Sequence, residues 1–167
     1  AALAAIIIEP LIHDIADRAW LAAARLACDR SGAVLIFDEI KTAFRIRTGG
    51  VQELLGIMPD LTTLGKAMAN GYPLAAVVGR HDVMQGALRS WISSTAAAET
   101  TGLAAAKAVF DWHERVDVAE RLALAGGMMQ EIIGTALIEA PWVGVRAEGP
   151  APMWRLIADV PEQLDAL

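Results

Sequence analysis

Two short apolar runs with a helical pattern between them occupy Ala4 to Asp38, and this order restricts the fold more than any other feature of the chain. "AAIII", Ala4 to Ile8, is rich in β-branched residues and closes on Glu9-Pro10, where proline ends strand pairing. "AVLIFDE", Ala33 to Glu39, is a second run of the same kind, ending in two adjacent carboxylates. Between them, "DRAWLAAARLACDRSG" places Trp20, Leu21, Ala24, Leu26 and Ala27 near one face, with Asp17 as N-cap and Gly32 as stop. Strand, helix and strand within about 35 residues predict a right-handed parallel βαβ unit with both strands buried. Ligands of such sheets bind at the carboxyl ends of the strands. Glu9, Asp38 and Glu39 all fall at that end.

The remainder continues the α/β pattern. "GIMPDLTTLGKAMANGYPLAAVVGR" contains a turn at Pro59-Asp60, a short strand "LTTLG", a glycine-containing loop at "NGYP" and a strand "LAAVVG". "TTGLAAAKAVFDWHER" and "DVAERLALAGGMMQEIIGTAL" read as helices, the second weakened at its centre by Gly126-Gly127. "WVGVRAEGPAPMWRLIADV" alternates like two antiparallel strands about a Gly-Pro turn, and Trp142 and Trp154 within it read as core.

With 55% hydrophobic residues the chain has ample material for a core. Its net charge of -6, without like-charge blocks, argues against nucleic acid or an anionic membrane as partner. The single cysteine, Cys28, lies inside the first helical pattern and reads as a core residue, compatible with a reducing cytoplasm. No run reaches the roughly 18 uncharged apolar residues of a membrane span, so the expectation is a soluble, cytoplasmic protein. The chain starts at Ala1 inside an apolar run and stops at Leu167, which suggests an internal piece of a longer protein.

A hydrophobic strand ending in Asp-Glu is also how the Mg²⁺-binding segment of a P-loop ATPase looks. That chemistry needs a glycine-rich loop ending in Gly-Lys-Ser/Thr upstream. The one Gly-Lys pair, Gly65-Lys66, lies downstream, is followed by Ala67, and has Asp60 where the first glycine belongs. A second reading joins Asp38 to Lys66, which sits among small residues before the glycine-containing loop. Pyridoxal phosphate chemistry needs an amine to hold the aldehyde as a Schiff base and an acid to keep the pyridine nitrogen protonated. An aspartate at a strand end suits the second role, although such a pair occurs by chance in many α/β proteins. His13, His81 and His113 have no partners at metal-ligand spacing, so surface or turn roles are expected and no metal. Glu39 either orients a cofactor or forms a structural ion pair; Arg45 and Arg47 either meet a substrate carboxylate or lie in solvent.

The ordered series "IIIEP", "LIFDEIKTAFR" and "GIMPDLTTLGKAMANGYPLAAVVGR" resembles the cofactor-binding heart of the class III, fold type I, pyridoxal phosphate-dependent aminotransferases, most of all the glutamate semialdehyde aminomutase branch. The resemblance implies part of a large domain with a mainly parallel sheet over residues 1–112, and the start of a smaller α+β C-terminal domain over 113–167. It implies pyridoxal 5'-phosphate as cofactor, with Asp38 on the pyridine nitrogen, Ile40 on a ring face and Lys66 as the Schiff-base lysine. "STAAAETTGLAAA" is similar to a family motif whose threonine bonds the phosphate of the neighbouring subunit, which places Thr95 there and implies a homodimer with shared sites. The implied activity is aminotransferase (transferase) or aminomutase (isomerase) chemistry on small-molecule amino donors and acceptors. The alternative is an inactive, truncated protein with the same fold, because no phosphate cup or ring-stacking aromatic precedes "IIIEP". Lys41 also departs from the family, which commonly has Gln or Met at that position, and Ala43 stands where Gly is common.

Overall fold

A computed structural model describes residues 3–90, 97, 99–139 and 144–159. Two compact units are present, Ala1–Val118 and Ala119–Leu167. The first is built on a four-stranded sheet in the order β1-β2-β3-β4, from β1 (Ala5–Ile8), β2 (Val34–Asp38), β3 (Leu61–Leu64) and β4 (Ala76–Gly79). β1 runs parallel to β2, with Ile8 opposite Phe37, and β2 parallel to β3, with Asp38 opposite Thr63. β4 is antiparallel to β3. The β1–β2 crossover is α1 (Arg18–Ser31), as the strand, helix, strand pattern predicts.

Both ends of α1 are chemically closed. Asp17 accepts the Trp20 amide at the N-terminus, and Gly32, at φ 72°, gives the left-handed C-cap that a side chain resists. The inward face differs from the expected one. Leu21 and Cys28 are fully buried with Ala24 and Arg25 half-buried, whereas Trp20 and Leu26 are exposed at 56% and 48%. In an alanine-rich helix nearly every position is apolar, so the stripe that packs is picked out by shape against Leu35 and Phe37.

The strands are covered on one face. Leu35 and Phe37 of β2 meet Leu21, Cys28 and Ile57, with Ile6 and Ile8 of β1 packed alongside. Side chains alternate across a strand, so Ile7 points the other way and is 62% exposed. The expectation that both faces of β1 are buried is therefore corrected: α1 lies on one face only. Asp38 shares the face opposite to Phe37.

Beyond β2, a turn-rich segment leads to α2 (Val51–Leu55), and a second core of Ala43, Phe44, Met68, Ala69 and Ala106 forms around it. A one-turn helix α3 (His81–Met84) follows β4. Glu99 caps α4 (Thr100–His113) by accepting the Thr101 and Gly102 amides at 2.9 and 2.7 Å. These bonds and the Thr101 hydroxyl hold its carboxyl below the usual carboxylate range.

In the second unit, α5 (Val118–Glu139) accompanies a hairpin of β5 (Val145–Glu148) and β6 (Arg155–Ala158), antiparallel as expected, with Val145 opposite Ala158. Gly126-Gly127 does not interrupt the helix. A Cβ on Gly126 would stand 2.6 Å from the Ala151 carbonyl carbon, so the glycine permits a close approach of helix and hairpin turn. α5 is also long and apolar enough to cross a membrane by length and composition alone, at a mean hydropathy of 1.2. The expectation of no such segment came from uncharged runs, and Arg121 and Glu131 interrupt this one. Trp154 is half-buried; Trp142 lies outside the described residues.

Candidate functional site

Asp38 is the last residue of β2 and opens the site. Its Oδ1 accepts the Ile40 amide at 3.1 Å and the Thr63 hydroxyl at 3.0 Å, so the strand end and its register partner on β3 fix the carboxylate. Among the described residues Oδ2 receives no hydrogen bond, and it is not buried. A carboxylate held by one oxygen offers the other to an incoming N–H.

Lys66 follows β3 on the neighbouring strand. Its backbone is left-handed at φ 45°, a region that non-glycine residues seldom occupy, and Asn70 shares it at φ 44°. The Ala69 and Asn70 amides return to the Lys66 carbonyl at 3.2 and 2.9 Å, while Met68 and Ala69 are buried beneath the turn. The turn therefore anchors the backbone and leaves the Lys66 side chain exposed. Ile40 lies close beside Gly65, since a Cβ on Gly65 would meet Ile40 Cγ2 at 3.4 Å. The residues after Asp38 and the residues before Lys66 thus run side by side at the carboxyl ends of parallel strands.

The chain has three lysines, and two are engaged. Lys107 bonds both oxygens of Asp111 at 2.9 and 2.7 Å, and Lys41 pairs with Glu9 Oε1 at 2.8 Å. The Lys66 ammonium has no ion pair or hydrogen bond among the described residues. Lys41 thus reaches back to the end of β1.

Glu39 is engaged inside the fold and not in the ion pair that is one of its two expected roles. It is fully buried, accepts the Thr42 hydroxyl and the Val51 amide (3.0 Å) on Oε2, and the Gln52 amide (2.8 Å) on Oε1. No cation pairs with it among the described residues. It caps the start of α2, and Gly50, at φ 84°, leaves room for it where a Cβ would collide. The segment it holds carries Phe44, itself at φ 63°, stacked on Phe110 at 5.5 Å and edge-on to His113 at 5.4 Å. His113 is therefore more than a surface residue: Nδ1 lies 2.9 Å from the Thr48 hydroxyl, and burial pushes its imidazole below the ordinary value, partly opposed by Asp117. Arg45 donates to the Lys41 carbonyl at 3.2 Å, and Arg47 is exposed.

The local sequence marks Asp60 only as part of a turn. It is 3% exposed and joins three elements: Oδ2 accepts the Leu35 amide (2.7 Å) and Arg25 (2.8 Å), and Oδ1 accepts Arg80 (2.7 Å). Burial raises its pKa, but these donors outweigh burial and hold the carboxyl below its usual range. Aspartate beside proline is common in turns, so only the distant arginines, invisible in the local pattern, distinguish it.

A cavity of about 810 Å³, lined by Phe44, Met58, Thr62, Leu64 and Val78 among others, contains neither Asp38 nor Lys66. Thr62 and Leu64 lie on the face of β3 opposite Thr63, so this cavity belongs to the far side of the sheet from the carboxylate. Thr95 lies outside the described residues.

A mixed α/β sheet with an acid and a free lysine at its carboxyl edge defines a class of fold, and comparison with known proteins gives the family. Residues 1–149 match the model of the class-III aminotransferases, and the chain belongs to that family. It is 34% identical over 161 residues to 2'-deamino-2'-hydroxyneamine transaminase of Streptomyces kanamyceticus, covering 96% of this chain and 41% of that protein. It is 46% identical over 87 residues to glutamate-1-semialdehyde 2,1-aminomutase of Neisseria meningitidis serogroup C, covering 50% of this chain and 20% of the relative. Among solved structures, the internal aldimine form of the FumI protein of Sphingopyxis sp. MTA144 superposes with a TM-score of 0.85 at 26% identity, over 92% of this chain and 38% of that one. A transaminase with pyridoxal phosphate bound superposes with a TM-score of 0.79 at 31% identity, over 95% of this chain and 39% of that one. The chain is thus part of a fold type I transaminase fold, and it spans about two fifths of the Streptomyces relative and of the two solved structures and one fifth of the Neisseria one.

Proposed function

We propose that this chain carries the pyridoxal 5'-phosphate site of a class-III aminotransferase or aminomutase, built on Asp38 and Lys66. The observation that carries the reading is the pairing, on adjacent strand ends, of a carboxylate oxygen and a lysine that are both without partners among the described residues. These groups fit the cofactor: Asp38 Oδ2 is free to accept a pyridinium N–H, and the Lys66 amine is free to hold an aldehyde. When bound there, the cofactor supplies an electron sink for carbanion chemistry at an amino-bearing carbon.

The residues divide the work. Asp38, fixed through Oδ1, would place its carboxylate at the ring nitrogen, where a negative charge favours the protonated ring. Ile40, whose side chain lies beside Gly65, would present an apolar surface to one ring face. Lys66 would hold the cofactor aldehyde through its amine, and the same amine, when free, would hold and return the proton of the substrate's amino-bearing carbon. Transamination and intramolecular amino transfer use the same residues and differ in how a small-molecule amino donor or acceptor is held.

Thr95, by its place before α4, would bond the phosphate of a neighbouring copy's cofactor. The active species is then a C₂ homodimer with two shared sites. The large-domain portion is assigned to residues 1–112 and the start of the small domain to 113–167. The free, fully buried thiol of Cys28 suits a reducing compartment such as the cytoplasm.

Titration of the chain with pyridoxal 5'-phosphate tests the reading by visible absorbance and borohydride trapping. Wild type is expected to develop a visible band and carry the reduced label on Lys66, and Lys66→Ala to lose both. A label confined to other residues would sink the assignment. Binding is expected to be weak, because the chain spans 41% of the length of the Streptomyces relative.

A further inference from the structure

We propose that Glu9 is a selectivity residue of this site: by holding the Lys41 ammonium, it leaves Lys66 as the one amine that condenses with an aldehyde there. The inference rests on the reading of Asp38 and Lys66 given above.

Two lysines stand at the same rim. Lys41 follows Ile40, Lys66 follows Gly65, and Ile40 lies beside Gly65, where a Cβ would meet its Cγ2 at 3.4 Å. Glu9 follows the last residue of β1, and the register that sets Ile8 opposite Phe37 brings it level with Asp38. From there its Oε1 takes the Lys41 Nζ at 2.8 Å, while the Ile12 carbonyl accepts a second bond at 3.4 Å. The pair is partly shielded, with side-chain exposures of 30% for Lys41 and 38% for Glu9.

Condensation needs a lone pair on nitrogen. The ammonium first gives a proton to water. The nitrogen then bonds the aldehyde carbon, and its two remaining protons leave with the carbonyl oxygen as water. An ammonium whose donors rest on Glu9 and Ile12 must abandon both bonds before that step. Among the described residues Lys66 has no such bonds to lose. Lys107, held by Asp111 one turn along α4, serves as an internal reference.

The test maps the label on the chain rather than its activity. Wild type and Glu9→Gln are treated with pyridoxal 5'-phosphate, and borohydride delivers hydride to the C=N carbon, leaving a stable secondary amine. Peptide mass mapping then quantifies Lys41, Lys66 and Lys107. Wild type is expected to label chiefly at Lys66. In Glu9→Gln the Lys41 to Lys66 ratio is expected to rise about fivefold, the upper range for a partly exposed ion pair, with the Lys107 share unchanged. An unaltered ratio, with Lys66 still labelled, overturns the role of Glu9 alone. Absence of label on Lys66 in both proteins overturns the underlying site reading instead. Should Glu9→Gln fail to fold by circular dichroism, wild type is labelled at low and about 1 M salt, where screening shortens to about 3 Å. The Lys41 share should then rise with salt, and a constant share overturns the proposal.

Discussion

Thr63 donates its hydroxyl to Asp38 Oδ1 at 3.0 Å across the β2–β3 ladder, so the acid of the site is aimed by its register partner. The bond leaves Oδ2 open and sets its direction. Thr63→Val keeps the β-branched shape and removes the donor. A hydrogen bond to a charged group contributes about 1.5–3 kcal/mol, and partial exposure of Asp38 argues for the lower end. Pyridoxal 5'-phosphate is expected to bind about tenfold more weakly to Thr63→Val by absorbance titration, with the melting temperature falling by about 3–6 °C for the lost bond. Unchanged affinity would show that Asp38 is positioned without Thr63.

Glu39, by contrast, acts on the fold. Its carboxylate satisfies the Val51 and Gln52 amides and the Thr42 hydroxyl in a fully buried place. Glu39→Ala strands those donors, each at about 1–3 kcal/mol. A loss of roughly 2–5 kcal/mol is expected in urea denaturation, with Glu39→Gln losing less because one amide oxygen can still accept. A loss below about 1 kcal/mol would mean that water or a rearranged turn replaces the carboxylate.

Acid should act through Asp60. Its folded pKa lies below the unfolded value of about 3.9, because the Leu35 amide and the Arg25 and Arg80 guanidiniums outweigh burial. The unfolded chain therefore binds the proton first as pH falls. The contribution of Asp60 is fully present above about pH 4 and is lost as pH drops through its lower folded value. Asp60→Asn should be less stable than wild type at pH 7, and its stability should fall less steeply below pH 4. Parallel acid unfolding curves for the two proteins would refute this.

Much of this arrangement is legible in the sequence, and the exceptions share a physical cause. The βαβ unit shows because Glu9-Pro10, Asp17 and Gly32 are local punctuation: each acts on backbone within a few residues. The placing of Asp38 and Lys66 at one edge follows from strand order in the same way. Glu39 and Asp60 escape such reading because their partners, Gln52 for one and Arg25 and Arg80 for the other, are 13 to 35 residues away. Lys41 is similar, since the residue that engages it sits at the end of another strand. The inward face of α1 escapes for another reason: too many of its positions are apolar for composition to pick one stripe.

Two glycines of α5 offer the same substitution with opposite expected signs. Gly134 has no atom within 4 Å of the place a Cβ would occupy, so Gly134→Ala gains helix propensity without a clash. That gain is about 0.5–1 kcal/mol. Gly126→Ala makes the same gain, but its new methyl would stand 2.6 Å from the Ala151 carbonyl carbon and closer still to the oxygen. Backbone cannot rotate aside as a flexible side chain does, so the overlap must be relieved by moving the hairpin turn from the helix, at a cost of about 1–3 kcal/mol typical of overpacking. The clash is expected to outweigh propensity, leaving Gly126→Ala less stable than wild type and Gly134→Ala more stable in thermal or urea unfolding. If both raise stability, α5 and the turn at Ala151 lie further apart in solution than the close approach at Gly126 requires.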